Sequence, residues 1–161
     1  MSVEVSNVEP KEIWKNFVLL NEVPRPSKKE EKVIDFLKLF ARKNNLEFRQ
    51  DEIGNLVIIK ESTEGMSNRE TVVLQSHVDM VHEKNNDVDF DFLNSGIKMY
   101  IDGDWIKADG TTLGADNGLG VAAIMAVLES KDISHPKIEA LFTVDEETGM
   151  TGALNLSNSL I

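Results

Sequence analysis

Apolar positions along this chain follow two periods, one helical and one strand-like. After Pro10, Ile13, Trp14, Phe17, Val18 and Leu20 recur at helical spacing, which predicts a helix opening at the proline and ending near Glu22. A broader stripe of Val33, Ile34, Leu37, Leu39 and Phe40 predicts a second helix running to Lys43, with Asn44 and Asn45 as its stop. Ser27, followed three residues later by Glu30, has capping-box spacing and predicts where that helix starts.

The strand-like runs are shorter. Residues 46–50 and 56–60 flank Gly54 and Asn55, whose turn chemistry predicts a strand pair. Residues 71–75 and 138–144 ("IEALFTV") are apolar almost throughout, which predicts two central strands covered on both faces. Residues 97–101 and 105–108 surround "DGD" and predict a hairpin. From Asn117, "NGLGVAAIMAVLES" predicts a small-residue helix able to lie close to a sheet. Residues 61–69 are a polar loop, residues 87–91 an acidic, solvated one, and no repeat or low-complexity segment is present. At the end, "GALNLSNSLI" leaves an apolar run with nothing in the pattern to bury it. Together the elements predict an α/β fold, a mixed β-sheet flanked by helices.

Composition changes the chemistry more than the fold. The 161 residues, 41% hydrophobic, suit one compact domain. The 28 acidic against 17 basic residues give a net charge of -11, which disfavours nucleic acid and anionic membranes as partners. There is no cysteine, so disulfides, thiolate metal sites and a cysteine nucleophile are excluded, and any metal must be held by His, Asp and Glu. The N-terminus lacks the basic start and apolar core of an export signal, and no run approaches the roughly 18 apolar residues of a membrane helix, so the cytoplasm is the default compartment.

Three places can then carry chemistry. The run "TVVLQSHVDMV" ends in His77 and Asp79, two residues apart and able to meet on one side just past a strand end, where a carboxylate can orient an imidazole as a metal ligand. Asp116 sits among glycines in "LGADNGLG" at the start of a predicted helix, a position that also suits a plain helix cap. Glu146 and Glu147 follow the strand "IEALFTVD"; adjacent side chains at a strand end diverge, so one can bind metal while the other acts as a base, although an acidic triplet is also a common solvated turn.

Ligands at the C-terminal ends of central strands converge on one crevice. One imidazole and two carboxylates, with a spare carboxylate at each end, suit zinc or manganese better than copper or iron, but three ligands are too few for a metal pair. HExxH, GxSxG, a Walker loop and an EF-hand are all absent. The remaining rival is "GLGVAA", residues 118–123, a loose dinucleotide fingerprint with no apolar strand directly before it. His82 lies near enough to touch a substrate yet fits a loop, and His135 before Pro136 fits a turn.

In order along the chain, "VVLQSHVDMV", "GTTLGADNGLGVAA" and "TVDEETGMTGA" resemble the motifs of bacterial aminoacyl-histidine dipeptidases. These are broad-specificity cytosolic enzymes of the co-catalytic zinc aminopeptidase and acylase superfamily. The flanks "VPRPSKKEE", "DEIGNLVIIK" and "YIDGDWIKADGTTLGADNG" extend the resemblance over the whole chain. It implies a zinc-peptidase-like (phosphorylase/hydrolase-like) catalytic domain and two Zn2+ ions per protomer, replaceable by Mn2+ or Co2+. It also implies a dipeptide substrate of Xaa-His type and a homodimer. By position, it implies that His77 binds one zinc and Asp79 orients it, that Asp116 bridges both, that Glu146 is the general base, and that Glu147 binds the other. In that family a further aspartate and a distant histidine complete the ligands, and a second domain supplies dimer contacts. The resemblance therefore makes residues 1–161 an N-terminal segment of the catalytic domain, without the lid and dimerisation domain or the C-terminal part. Such a segment is expected to bind metal weakly and have little activity. Two alternatives stay open: a non-catalytic interaction fragment, and another metallo-aminopeptidase or deacylase of the superfamily.

Overall fold

The computed structural model describes residues 3–161. A short 3-10 helix, Val5–Asn7, precedes α1, Lys11–Asn21, whose N-cap is Pro10 and whose C-cap is Glu22, as the spacing predicts. Helix α2 spans Glu31–Lys43 and buries Val33, Ile34, Leu37 and Phe40. Its N-cap is Glu30, and no side chain caps it. The capping box is thus absent: the Glu30 carboxylate accepts from the Lys28 amide at 2.7 Å, and the Ser27 hydroxyl is drawn 52 residues away to Asp79.

Strands β1 (Glu47–Gln50) and β2 (Leu56–Lys60) form the expected antiparallel hairpin, whose turn is closed by Asp51 accepting the amides of Gly54 and Asn55. Strand β3, Val72–His77, runs parallel to β6, Ile138–Thr143, and the sheet order is β1-β2-β6-β3. A second, two-stranded sheet is the expected hairpin of β4, Met99–Asp102, and β5, Trp105–Ala108. Helix α3 spans Ala115–Glu129, with non-helical backbone at Asp116 and Asn117, and a short α4 covers Thr151–Leu154.

The expectation of two fully covered central strands holds for β6 alone. β6 is buried along nearly its whole length, whereas β3 lies at the sheet edge and leaves Val72 and Val73 41% and 47% exposed. An apolar run shows β preference but not whether a neighbour strand covers it. The acidic loop also differs from expectation in one respect, because Phe90 and Phe92 stack edge-on at 4.7 Å and pack on a buried cluster with Val5, Phe17 and Met80.

The main core lies between the sheet and two helices, where α2 and α3 cover the face carrying Leu56, Ile58, Ala140 and Phe142. The opposite face, Val57, Ile59 and Leu141, is closed by Leu160 with Leu156, which explains part of the apolar C-terminal run; Leu154 stays exposed. Among the described residues, no helix is long and apolar enough to cross a membrane.

Candidate metal centre

Because β3 and β6 are parallel and paired through His77 and Thr143, the segments leaving the two strands emerge at the same rim of the sheet. The amide of Val78 donates to the carbonyl of Thr143 at 2.9 Å and extends the ladder past the last paired residue. The Ser76 hydroxyl donates to the Asn117 carbonyl at 3.0 Å, tying the start of α3 to the same rim. Three segments distant in sequence, those of His77, Asp116 and Glu146-Glu147, therefore meet there.

His77 is buried, and its two ring nitrogens face different surroundings. Nδ1 lies 3.2 Å from the main-chain oxygen of Asp79 and 3.4 Å from its carboxylate. Nε2 lies 3.1 Å from Asp116 Oδ1 and 3.9 Å from Glu146 Oε2. A proton on Nδ1 donated to the Asp79 carbonyl leaves Nε2 available as a ligand atom. Burial alone would lower the imidazole pKa, but the contacts with Asp79 and Asp116 outweigh it and raise the pKa to about 9.

Asp79 does more than face the histidine. Its carboxylate accepts the amides of Glu146 at 3.0 Å and Glu147 at 3.2 Å, together with the Ser27 hydroxyl at 2.8 Å. Burial would raise its pKa, yet the hydrogen bonds from His77, the Glu146 amide, Ser27 and the Glu147 amide hold it down at about 2. One carboxylate thus secures both the β3 end and the turn after β6.

The glutamates do not diverge. Glu146, Glu147 and His77 each offer a ligand atom, and all three atoms lie within 4.8 Å of one another. Strand alternation has ended by this point, because Asp145 adopts a left-handed φ of 49°. The Asp145 carboxylate accepts the hydroxyls of Thr148 at 2.6 Å and Thr151 at 2.5 Å, which shapes the turn. Burial, then the neighbouring carboxylates, hold the Glu147 pKa above the usual range, with His77 opposing them.

Four residues carry this arrangement although the sequence does not mark them as parts of a site. Arg25, Ser27, Glu30 and Asp145 are all buried, and Glu30 accepts the amide of Asp145 at 3.1 Å. Burial raises the Glu30 pKa, with the amides it accepts opposing. Glu30, Asp79 and Asp145 also cluster, but Asp79 and Asp145 spend both oxygens, and Glu30 its Oε1, on amides or hydroxyls, so the cluster is a structural hub. Arg25 and Ser27 lie in "VPRPS", where no periodicity singles them out.

The other candidates fall outside the site. The His82 ring meets Phe92 edge-on at 5.8 Å, while His135 is buried with Nδ1 2.7 Å from the Pro136 carbonyl in the turn before β6. In "GLGVAA", a Cβ at Gly118 would lie 2.6 Å from Arg25 Nη2 and one at Gly120 would collide with Asn117 Oδ1. These glycines permit close packing, which is the ordinary reason for them.

The donor set fits a divalent cation of the zinc and manganese class: an imidazole nitrogen and carboxylate oxygens, with no sulfur, on a rim where anionic groups crowd a single imidazole. A parallel-strand rim gathering such donors is the arrangement of an α/β metallohydrolase. The family model for peptidase family M28 matches residues 56–160, and the chain belongs to that family. It is 44% identical to the cytosol non-specific dipeptidase of Escherichia coli (strain K12) over 97% of this chain and 32% of that protein. The crystal structure of aminoacylhistidine dipeptidase from Vibrio alginolyticus superposes with a TM-score of 0.95 at 46% identity, over 98% of this chain and 32% of that one. Aminopeptidase PepT from Bacillus cereus superposes with a TM-score of 0.77 at 26% identity, over 96% of this chain and 41% of that one. The resemblance carried by the three motifs is thereby borne out, as is the mixed sheet flanked by helices. The chain spans about a third of the length of the first two relatives.

Proposed function

We propose that this chain is the N-terminal segment of the catalytic domain of a metal-dependent dipeptidase, and that the whole protein hydrolyses dipeptides of Xaa-His type with broad specificity at a two-zinc site. The observation that carries this reading is the convergence of His77 Nε2, Asp116, Glu146 and Glu147 at one rim. His77, Asp116 and Glu147 are assigned as metal ligands, Asp116 as the bridge, Glu146 as the general base, and Asp79 as the group that orients His77. The remaining ligands and the lid and dimerisation domain lie in the rest of the protein, a cytoplasmic homodimer.

When bound, zinc supplies a Lewis acid that polarises a peptide carbonyl and acidifies water. The chain's own residues prepare the rest. Asp79 takes the Nδ1 proton side of His77 and leaves Nε2 facing the carboxylates. By accepting the Glu146 amide it also fixes the residue assigned as base, whose half-buried carboxylate can take a proton from the attacking water and deliver it to the leaving amine.

The test uses the full-length protein. Cleavage of Xaa-His dipeptides is expected to disappear with a chelator and return with Zn2+, Mn2+ or Co2+. Glu146→Gln is expected to retain bound metal while lowering kcat by roughly 100-fold or more. Hydrolysis indifferent to chelation, or unaffected by Glu146→Gln, would overturn the assignment. A second reading, an interaction fragment docking through the β3 edge, rests on exposed Val72 and Val73. Self-association of the 161-residue chain, reversed by adding the remainder, would favour it.

A further inference from the structure

Arg25 has no place in the proposed chemistry, yet among the described residues it is the largest fully buried side chain, only 1% exposed. Its guanidinium makes contacts in three directions. Nη1 donates to the carbonyls of Val78 at 3.1 Å and Asp79 at 3.4 Å, the residues that directly follow His77. Nη2 donates to the carbonyl of Gly114 at 2.7 Å, two residues before Asp116, and to Asn21 Oδ1 of α1 at 2.9 Å. The main chain reinforces this clasp, since Pro26 and Met80 form a β-bridge and the Met80 amide donates to the Arg25 carbonyl at 3.1 Å.

The surroundings leave room for the guanidinium and little else. Gly114 has a left-handed φ of 69°, and a Cβ there would lie 2.5 Å from Nη2; one on Gly118 would lie 2.6 Å away. Both glycines lie at the start of α3, so the segment bearing Asp116 is shaped around Arg25. Arg25 Nε makes no hydrogen bond among the described residues. A buried cation with an unpaired donor is a poor device for stability alone, because its desolvation offsets much of what its contacts contribute. It is a good device for holding two backbone segments at a set separation, since a planar fork fixes directions that an ammonium cannot.

We propose that Arg25 is a positioning residue that sets the spacing between His77 and Asp116 by tying the segment after β3 to the Gly114 turn. The inference rests on reading these two residues as ligands of one centre. Besides Arg25, the Ser76 hydroxyl joins the two segments through a single bond to Asn117, and farther from His77 and Asp116 the Thr112 hydroxyl donates to the Val81 carbonyl at 2.7 Å and the Thr112 amide to the Glu83 carbonyl at 2.9 Å.

The test uses the 161-residue chain with 15N-labelled histidine. The imidazole signals are read at fixed pH in chelator, and Co2+ is then titrated by its visible absorption. Arg25→Lys keeps the charge but cannot reach both segments. It is expected to keep the wild-type far-UV circular dichroism, move the His77 ring signals, leave those of His82 and His135 in place, and weaken Co2+ binding roughly 10- to 100-fold. A folded Arg25→Lys chain with wild-type His77 signals and Co2+ affinity would overturn the proposal. Should that variant not fold, Asn21→Ala decides, because it keeps the guanidinium and removes one of its acceptors: displaced His77 signals support positioning, unchanged signals refute it. Absence of Co2+ binding by the wild type would count against the metal-centre reading alone, and the His77 signals in chelator would still decide the role of Arg25.

Discussion

The two sides of the His77 ring are built from opposite materials. On the Nδ1 side, Asp79 is 0% exposed, and around it Ser27, Arg25, Glu30 and Asp145 are all buried and hydrogen-bonded. On the Nε2 side, the Asp116 side chain is 89% exposed, Glu146 is half-buried and Glu147 is exposed. Among the described residues, no protein donor but His77 approaches these three carboxylates. The buried side has its acceptor capacity satisfied by the protein, whereas the open side keeps its own for something else. Stability and ligand binding should therefore divide along the imidazole plane.

The largest expected effect lies on the buried side. Asp79→Ala removes the acceptor for two amides and a hydroxyl and takes from Arg25 the counter-charge that favours its charged form. Breaking such a buried arrangement costs about 3–5 kcal/mol, read as a lowered urea midpoint. A loss under about 1 kcal/mol, the size of one ordinary hydrogen bond, would break the comparison by showing that the buried side is not the stabilising one.

A smaller effect concerns pH in the metal-free chain. The folded His77 pKa of about 9 lies above its ordinary value of 6.5, so its stabilising contribution is complete below 6.5 and is lost as pH rises toward 9. The folded Asp79 pKa of about 2 lies below its ordinary 3.8, so its contribution is complete above 3.8 and is lost as pH falls through 2. Stability in chelator should be highest between these limits. The alkaline limb should be on the order of 1–2 kcal/mol, since solvent discounts the share owed to exposed Asp116. Measuring the midpoint of thermal unfolding against pH checks this, and His77→Gln should flatten the alkaline limb and shrink the acid one, because the His77 contact is foremost among those that hold the Asp79 pKa down.

The same division explains what the sequence made legible. His77, Asp116, Glu146 and Glu147 stand out because residue type and place, at strand ends and a helix start, carry their chemistry. Their supports do not stand out. Ser27 with Glu30 matches a local capping pattern, yet Ser27 is taken by Asp79 from across the fold, a contact that no local spacing encodes. Arg25 between two prolines has no periodic neighbours, and its burial follows only once two distant segments, those of Val78 and Gly114, close on it beside the end of α1. The convergence of Glu146 and Glu147 depends on the left-handed backbone of Asp145, which overrides strand alternation. In the fold, element types were legible almost throughout, but the edge position of β3 was not, because Val-rich composition is common to edge and centre.

The smallest expected change in stability is on the open side, and it sharpens the comparison most. Glu147→Gln keeps the side-chain volume and removes one charge from a rim where Glu146, Asp116 and Asp79 already repel it. No buried hydrogen bond depends on that carboxylate, because the contact that anchors Glu147 is its own amide to Asp79, which glutamine retains. The metal-free urea midpoint should therefore correspond to a change within about 0.5 kcal/mol, and relief of repulsion makes a slight gain the expected sign. Metal binding should respond in the opposite sense. A neutral amide is a weaker donor to a divalent cation than a carboxylate, so Co2+ affinity should fall roughly tenfold or more. A variant that loses stability while holding Co2+ as before would reverse the roles of the two sides, and Glu147 would then be a structural residue.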